Sequence, residues 1–292
     1  EIPKRDWSSD VCSSDLFYRM QTPVDTKNIT ASIVFYPSKD GTKIPLFLMH
    51  RKDVKLDGNN PALLYGYGGF NVGMTPSFIS LAASFVNRGG VYAIACLRGG
   101  NEYGENWHRD GMLFNKQNTF DDFISAGEYL IDQKFTNPDK LIVRGGSNGG
   151  LLIGAVVTQR PDLFKGGICA VPLLDMIRYH KFLIARYWIP EYGDPDKDPD
   201  FRYLLTYSPY HNIRQGINHP TLLVTAGAND VRVDPVHAKK FVAALQNNPG
   251  QISPIMLYID FESGHGSGKS TQQLIDDQEF QWRFMMNLAG IK

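Results

Sequence analysis

A serine lies in a glycine-rich turn between an apolar run and a helical pattern. Ser147 is the centre of a Gly-x-Ser-x-Gly frame completed by Gly145 and Gly149. Residues 141–143 before it predict a buried strand, and the run through Val157 predicts a helix. The turn requires glycines because larger side chains would collide with the adjoining strand and helix. The hydroxyl then stands at a helix N-terminus, whose free N–H groups stabilise an oxyanion. The pattern predicts a nucleophile elbow rather than a loop with an ordinary serine.

A serine nucleophile needs a histidine base, and the base needs an orienting acid. With this elbow the chain order is serine, acid, histidine. Of the seven histidines, His265 follows the last predicted strand, in a glycine-flanked loop that can present its ring to Ser147. Asp230 ends the preceding strand and is the predicted acid. Asp234, its competitor, sits where a helix N-cap belongs, and Asp260 is too close to His265 in sequence.

An oxyanion hole needs two hydrogen-bond donors. The backbone N–H of Asn148, directly after the nucleophile, is one of them by elbow geometry. The second is expected from the loop after the predicted strand 61–65, which carries Tyr67. From the pattern alone, Tyr67 is either a packed core residue or a phenol that points at the site.

The elements that must position these residues alternate between strand and helix from residue 61 onward. Further strands are predicted at 91–97, 167–171, 221–225 and 255–259, and helices at 77–87, 119–133, 234–246 and 271–288, with Thr119 as an N-cap. Two β-rich runs, 33–36 and 44–49, joined by a link containing Asp-Gly, predict a hairpin. Residues 172–210 are expected to form an irregular insertion over the upper edge of the sheet.

This alternation, together with the nucleophile elbow, predicts an α/β-hydrolase fold. Its mostly parallel twisted sheet would carry helices on both faces and open with an N-terminal antiparallel hairpin. Every loop singled out above follows a strand, so all of them should converge on the edge where the strands end.

Composition limits the classes of function. The 292 residues are 42% apolar with a formal net charge of zero, which gives no support for binding nucleic acid or an anionic membrane. We find no apolar run near the roughly 18 residues of a membrane span. Three cysteines far apart in the sequence predict neither a disulfide framework nor a zinc site, and Cys96 and Cys169 are expected to be buried free thiols. We predict neither metal nor cofactor.

The N-terminus differs from the rest of the chain. Residues 1–27 are predicted to be irregular, and a short polar repeat makes about residues 5–16 look non-native; the alternative is a flexible native terminus. The segment has no apolar core of the kind found in a signal peptide. Residues 28–292 are expected to form one α/β-hydrolase domain.

Five segments together resemble the catalytic domain of the prolyl oligopeptidase family. They are Tyr65-Gly-Tyr-Gly-Gly-Phe-Asn71, Arg98-Gly-Gly-Asn-Glu-Tyr-Gly104, Gly145-Gly-Ser-Asn-Gly-Gly150, Gln159-Arg-Pro-Asp-Leu-Phe164 and Gly264-His-Gly-Ser-Gly-Lys269. The resemblance runs from about Asn28 to the C-terminus. It implies a serine endopeptidase that hydrolyses short peptides on the C-terminal side of proline through an acyl-enzyme, with Ser147, Asp230 and His265 as its triad.

The resemblance also implies roles around the triad. Tyr67 resembles the tyrosine whose hydroxyl binds the oxyanion together with the Asn148 N–H, and Trp188 resembles the indole that stacks on the substrate proline. Phe70, Tyr192 and Val233 resemble further walls of the proline pocket, and Arg232 resembles the arginine that binds a substrate carbonyl. Proline is rigid and apolar, so a flat aromatic face buries it at little entropic cost. An arginine can anchor the peptide backbone without reading its side chains.

Enzymes of this family carry a β-propeller domain before the module, and an N-terminal segment that completes it. The sequence contains neither, so we expect a fragment with an open site, relaxed size selection and a tendency to aggregate. The alternatives are an esterase or related oligopeptidase with another P1 preference, and an inactive truncated fragment. A basic-P1 relative would need acidic residues where Trp188, Tyr192 and Val233 offer an apolar pocket. The resemblance and the few cysteines predict a cytoplasmic location, with a periplasmic origin or a lost leader as the alternative.

Overall fold

The computed structural model describes residue 22, residues 24–266 and residues 268–291. Cys12 and the stretch predicted to be non-native, about residues 5–16, lie outside the described residues. Of the segment 1–27 predicted to be irregular, the structure describes residue 22 and residues 24–27, which precede the first strand.

The described residues form one eight-stranded sheet. Its strands are β1 (Ile29–Pro37), β2 (Lys43–Arg51), β3 (Ala62–Tyr65), β4 (Val91–Ala95), β5 (Leu141–Gly146), β6 (Gly166–Ala170), β7 (Thr221–Gly227) and β8 (Ile255–Asp260). Their spatial order is β1-β2-β4-β3-β5-β6-β7-β8. β2 pairs antiparallel with both β1 and β4, and all other pairs are parallel.

The predicted N-terminal hairpin is confirmed, with strands longer than expected. Pro37 pairs with Lys43 at its closed end, and the Ser38 N–H donates to the Thr42 carbonyl at 2.8 Å. Gly41 takes a φ of 86° in the turn, a left-handed conformation that glycine adopts without strain.

Helices cover both faces of the sheet. They are α1 (Ser80–Asn87), α2 (Glu105–Arg109), α3 (Lys116–Asp132), α4 (Asn148–Gln159), α5 (Ile189–Tyr192), α6 (Asp198–Tyr207), α7 (Val236–Gln246) and α8 (Thr271–Ala289). α1 and α8 pack on one face, and α3, α4 and α7 pack on the other. None of the helices in the described part of the chain has the length and apolarity to cross a membrane.

The two-sided packing follows from the period of two along a strand. In β3, Ala62 and Leu64 belong to the larger core cluster under α3 and α4, while Leu63 belongs to the cluster with Phe85 of α1 and Trp282 of α8. Because both faces of the central strands are covered, each reads as a nearly continuous apolar run. The predicted α/β-hydrolase fold is confirmed.

Several local predictions differ from the structure, among them the start of α1, which is Ser80 rather than residue 77. Thr119 lies inside α3, which begins at Lys116, and its hydroxyl donates to the Arg98 carbonyl at 2.8 Å instead of capping a helix. α7 begins at Val236 rather than Asp234, although the Asp234 carboxylate does accept the Val236 N–H at 2.9 Å. The stretch 172–210 is not irregular throughout, since it contains α5, α6 and several 3₁₀ turns.

The two cysteines in the described residues are free and buried, as predicted. Cys96 follows β4, and Cys169 lies within β6. Burial raises the pKa of the Cys96 thiol to about 12, so this sulfur is held as an unreactive thiol.

Candidate active site

Ser147 lies in a sharp turn between β5 and α4. Its φ of 58° and ψ of −117° are unfavourable for a residue with a side chain, at a cost of roughly 1–3 kcal/mol. The Ser147 N–H donates to the Ala170 carbonyl at 2.8 Å, which helps to hold the turn. A Cβ added at Gly145 would overlap the Gly149 carbonyl oxygen. The glycine frame is therefore required by the close approach of backbone to backbone.

The structure brings Ser147, His265 and Asp230 into one hydrogen-bonded chain. His265 Nε2 lies 3.0 Å from Ser147 Oγ, and His265 Nδ1 lies 2.6 Å from Asp230 Oδ2. The geometry fits an Nδ1–H that donates to the carboxylate and a free Nε2 that accepts the serine proton. This arrangement can activate the serine hydroxyl as a nucleophile.

Backbone groups fix the Asp230 carboxylate. Its Oδ1 accepts the N–H groups of Arg232 at 2.8 Å and Val233 at 2.9 Å. Burial of the carboxyl opposes ionisation, but hydrogen bonds from His265, Val233 and Arg232 outweigh it and lower the pKa of Asp230. The acid is thus ionised at neutral pH and offers a negative charge to the imidazole.

The competing acids are engaged elsewhere. Asp234 accepts the N–H at the start of α7, as described above. Asp260 accepts the N–H groups of Glu262 and Ser263 and pairs with Lys269 at 2.9 Å. The hydrogen bond from Ser263 is the main reason why the pKa of Asp260 falls to about 2.

The loop after β3 lies against the elbow. The Asn148 side-chain amide donates to the Tyr67 carbonyl at 2.6 Å, and the Tyr192 hydroxyl donates to Asn148 Oδ1 at 2.8 Å. Burial raises the pKa of the Tyr67 phenol, with the Arg232 charge acting in the opposite sense. Tyr67 therefore keeps its proton and can act as a hydrogen-bond donor.

Three of the residues assigned to the proline pocket form an aromatic cluster. The Phe70 ring meets Trp188 edge-on with centroids 6.3 Å apart, and meets Tyr192 edge-on at 5.5 Å. Tyr192 is buried, whereas Trp188 and Phe70 keep part of their surface free. Val233 is buried in the Asp230 loop, and Arg232 beside it is exposed. Within the aromatic cluster, Trp188 and Phe70 are therefore the rings whose surface is partly accessible.

Sequence reasoning missed three buried polar contacts beside this cluster. Glu191 Oε1 accepts the Phe70 N–H at 2.9 Å, and Glu191 Oε2 lies 2.8 Å from His108 Nε2. Lys116 Nζ donates to the Gly68 carbonyl at 2.6 Å. The one available signal was a glutamate within the aromatic run 187–192.

One group of side chains away from the triad has metal-ligand geometry. His180, Asp194 and Asp196 place ligand atoms within 4.8 Å of one another. Lys181 lies 3.0 Å from Asp196, and Lys197 lies 3.8 Å from Asp194, so cations of the chain already balance both carboxylates. We assign no metal to this group.

An α/β-hydrolase sheet that brings a serine, a histidine and an aspartate into contact at its carboxyl edge defines a serine hydrolase. Residues 76–292 match the family model described as "Prolyl oligopeptidase family". The chain belongs to this family of serine peptidases.

Individual proteins similar to this chain agree with the family assignment. The chain is 40% identical over 287 residues to a prolyl endopeptidase of Elizabethkingia miricola, covering 98% of this chain and 41% of the relative. A structure from a study of two prolyl endopeptidases superposes with a TM-score of 0.91 at 51% identity, covering 93% of this chain and 40% of the other. A post-proline cleaving enzyme of Rickettsia typhi gives a TM-score of 0.88 at 38% identity, covering 92% and 39%. The chain thus spans about 40% of the length of these relatives.

Proposed function

We propose that this chain is the catalytic domain of a serine endopeptidase that hydrolyses peptides on the C-terminal side of proline. The observation that carries the proposal is the His265 ring, which lies within hydrogen-bond distance of both Ser147 Oγ and Asp230 Oδ2 beside an aromatic pocket. The family membership and the names of the relatives support it.

The proposed reaction is acyl transfer through the serine. Ser147 Oγ attacks the scissile carbonyl while His265 Nε2 takes its proton, and Asp230 stabilises the imidazolium that forms. The oxyanion accepts hydrogen bonds from the Asn148 N–H and the Tyr67 hydroxyl. His265 then protonates the departing amine, which leaves an acyl-enzyme, and a water activated by the same histidine releases the product acid.

The aromatic cluster supports the preference for proline. A pyrrolidine ring stacked on Trp188 and flanked by Phe70 would bury apolar surface without losing rotamer freedom. The acid beside the cluster, Glu191, has both oxygens occupied by Phe70 N–H and His108, so it offers no free carboxylate to a basic side chain. Arg232, exposed next to the triad acid, is proposed to bind a substrate carbonyl.

The test combines active-site labelling with a P1 panel. The purified chain should react with a fluorophosphonate probe and cleave N-blocked Gly-Pro p-nitroanilide faster than its Gly-Ala counterpart. Ser147→Ala should lose both reactions while keeping its circular dichroism spectrum and urea midpoint, with turnover lower by about 10⁴–10⁶-fold. Substantial turnover by a folded Ser147→Ala variant would refute the nucleophile, and a preference for alanine would refute the specificity.

A further inference from the structure

Buried side chains from α3, α4 and α5 form hydrogen bonds with the loop that carries Tyr67. Those from α3 and α4 come first. Asn148 of α4 holds the Tyr67 carbonyl, and Lys116 of α3 holds the next carbonyl, that of Gly68, each at 2.6 Å. Lys116 is fully enclosed, and desolvation lowers its pKa to about 8. Both contacts act on the first half of the loop.

The second half of the loop is strained. Phe70 and Asn71 take φ values of 56° and 58°, in the left-handed region that residues with side chains seldom adopt. Such a backbone persists only where its surroundings fix it. The Phe70 N–H is fixed by Glu191 Oε1 at 2.9 Å, and the Asn71 N–H donates to the Gly99 carbonyl at 3.1 Å.

Glu191 is suited to hold this peptide group. Its side chain is 6% exposed, and a buried carboxylate is stable only when its oxygens are paired. One oxygen receives the Phe70 N–H and the other meets His108 Nε2 at 2.8 Å. His108 is itself mostly buried and has Glu105 Oε1 at 3.5 Å from its Nδ1. Glu191 and His108 therefore form an enclosed contact rather than an exposed surface one.

The position of Glu191 in the chain links two parts of the site. It belongs to α5, which begins directly after Trp188 and ends at Tyr192, so it lies on the same short element as the wall of the proline pocket. Its Oε1 holds the loop that carries the Tyr67 hydroxyl. Tyr192 adds a second link between α5 and this loop. Its hydroxyl donates to Asn148 Oδ1, and the Asn148 amide in turn donates to the Tyr67 carbonyl.

We propose that Glu191 is a positioning residue, which fixes the oxyanion loop relative to the proline pocket and so sets where the Tyr67 hydroxyl lies. This inference rests on the proposed function, in which Tyr67 donates to the oxyanion. Glu191 touches no reacting atom. Its loss should reduce stabilisation of the transition state more than binding of the substrate, because the hydroxyl bonds an oxygen charge that develops only during reaction.

The experiment compares Glu191→Leu, Glu191→Gln and Glu105→Gln. Glu191→Leu removes both hydrogen-bond acceptors, while Glu191→Gln keeps an oxygen for the Phe70 N–H. Glu105→Gln is the matched control, since it also removes a carboxylate facing His108, while Glu105 pairs with Arg109 rather than with the Phe70 N–H. With Gly-Pro p-nitroanilide, Glu191→Leu should lower kcat by roughly 10–100-fold and change KM less than threefold, by analogy with the loss of an oxyanion donor. Glu191→Gln should recover part of kcat, and Glu105→Gln should match wild type.

A double-mutant cycle with Tyr67→Phe tests the route of the effect. If Glu191 acts through the Tyr67 hydroxyl, removing that hydroxyl should cost a smaller factor in the Glu191→Leu background than in wild type. An equal factor in both backgrounds, or a loss confined to KM, would overturn the proposal. If Glu191→Leu does not fold, as judged by urea denaturation, Glu191→Met replaces it in the cycle, since methionine is similar in length to glutamate and has no oxygen to accept the Phe70 N–H.

Hydrogen exchange separates this inference from the proposed function. Amides 66–71 should exchange faster in Glu191→Leu than in Glu105→Gln, whether or not the chain turns over substrate. Glu191→Gln should be intermediate, because it keeps an oxygen for the Phe70 N–H. Unchanged exchange would overturn the positioning role by itself. If the wild-type chain neither labels with fluorophosphonate nor cleaves the peptide, while the Glu191 variant still shows faster exchange, the proposed function is refuted and the positioning role stands.

Discussion

At the scale of single residues, the two oxygens of Asp230 have separate tasks. Oδ1 accepts the backbone N–H groups of Arg232 and Val233, which fixes the carboxylate plane. Oδ2 is then left to receive the Nδ1–H of His265 at 2.6 Å. An asparagine cannot perform both tasks, because its amide must direct NH₂ at one of these donors.

We predict that Asp230→Asn lowers kcat by roughly 10³-fold or more, because the amide would favour the wrong imidazole tautomer. Asp234→Asn is the matched change, since its carboxylate accepts a helix N–H instead. Steady-state kinetics with the proline p-nitroanilide would rank the two. A larger loss from Asp234→Asn would identify that residue as the acid.

Trp188 is the pocket residue whose effect should depend on the substrate. Trp188→Ala should lower kcat/KM by about 10–100-fold for a proline substrate and less for an alanine substrate, which has no ring to stack. Tyr187→Ala is a suitable control, because this neighbouring aromatic is 67% exposed. Equal losses on both substrates would show that Trp188 supports the fold rather than the proline ring.

Sequence reasoning could assign Ser147, Asp230 and His265 because each follows a strand and the ends of parallel strands meet at one edge. It could not assign Glu191 or Lys116. Each acts on a backbone group of a distant loop, 121 residues away for Glu191 and 48 for Lys116. A contact between a side chain and a distant peptide group leaves no spacing pattern in the sequence.

At the scale of elements, the elbow offers a test with neighbouring glycines. Gly145→Ala should destabilise the fold by more than about 3 kcal/mol, because the new Cβ would overlap the Gly149 backbone. Gly146→Ala should be tolerated to within about 1 kcal/mol, since its Cβ would meet Ala170 at an ordinary 3.7 Å. Urea denaturation measures both changes. Similar costs for the two variants would contradict the steric account of the frame.

The junction between α7 and the segment after β6 should be sensitive to acid. His237 Nδ1 accepts the N–H groups of Leu174 and Asp175 at 3.3 and 3.1 Å. Burial lowers the pKa of His237 to about 4, whereas nearby Asp175 and Asp234 favour the charged form. Between about pH 6.5 and pH 4, His237 is therefore protonated in the unfolded state but neutral in the folded state.

We predict that the free energy of unfolding decreases as pH falls from about 6.5 to about 4, and that His237 accounts for a decrease on the order of 3 kcal/mol. The contribution is fully present above pH 6.5. His237→Asn keeps an acceptor near the Nδ1 position and cannot titrate. Its unfolding free energy should fall less steeply over this interval, as urea curves at several pH values would show. Parallel pH profiles would mean that His237 is not the responsible group.

Element boundaries were predictable where local pattern and tertiary packing agree. α8 was predicted from 271 to 288 and runs to Ala289, with Ser270 and Gln273 forming a capping box at its start. Thr119 was wrongly predicted as a cap because its hydroxyl has a tertiary partner, the Arg98 carbonyl. α5 and the 3₁₀ turns within 172–210 were missed because each has only three or four residues, too few to show a helical period.

At the scale of the whole molecule, the alternation of strands and helices along the chain was enough to predict a sheet with helices on both faces, but not the order of the strands. The placement of β4 between β2 and β3 joins the hairpin to the parallel strands through pairs such as Leu46 with Ala95. Pairings of this kind depend on which long-range contacts bury the apolar surface best. The sequence of a single strand does not indicate which strand it pairs with.

β8 is one of the two edge strands of the sheet, β1 being the other, and several of its apolar side chains are partly exposed. Met256, Leu257 and Tyr258 are each 36–39% exposed along this edge strand. Unpaired backbone groups beside apolar side chains form a template for pairing with another chain. The net charge is zero and the pI is about 7.3, so there is little long-range repulsion at neutral pH to oppose association.

We predict that the chain self-associates through β8, most strongly near pH 7.3 where its net charge vanishes. Leu257→Lys places a charge on the edge and should raise the dissociation constant of self-association about tenfold. Sedimentation velocity would detect this as a larger fraction of monomer. Leu56→Lys adds the same charge at a 50% exposed leucine in the loop after β2, and should leave association at this edge intact. If both substitutions disperse the protein equally, net charge rather than the β8 edge controls association. If neither does, the contact lies on another surface.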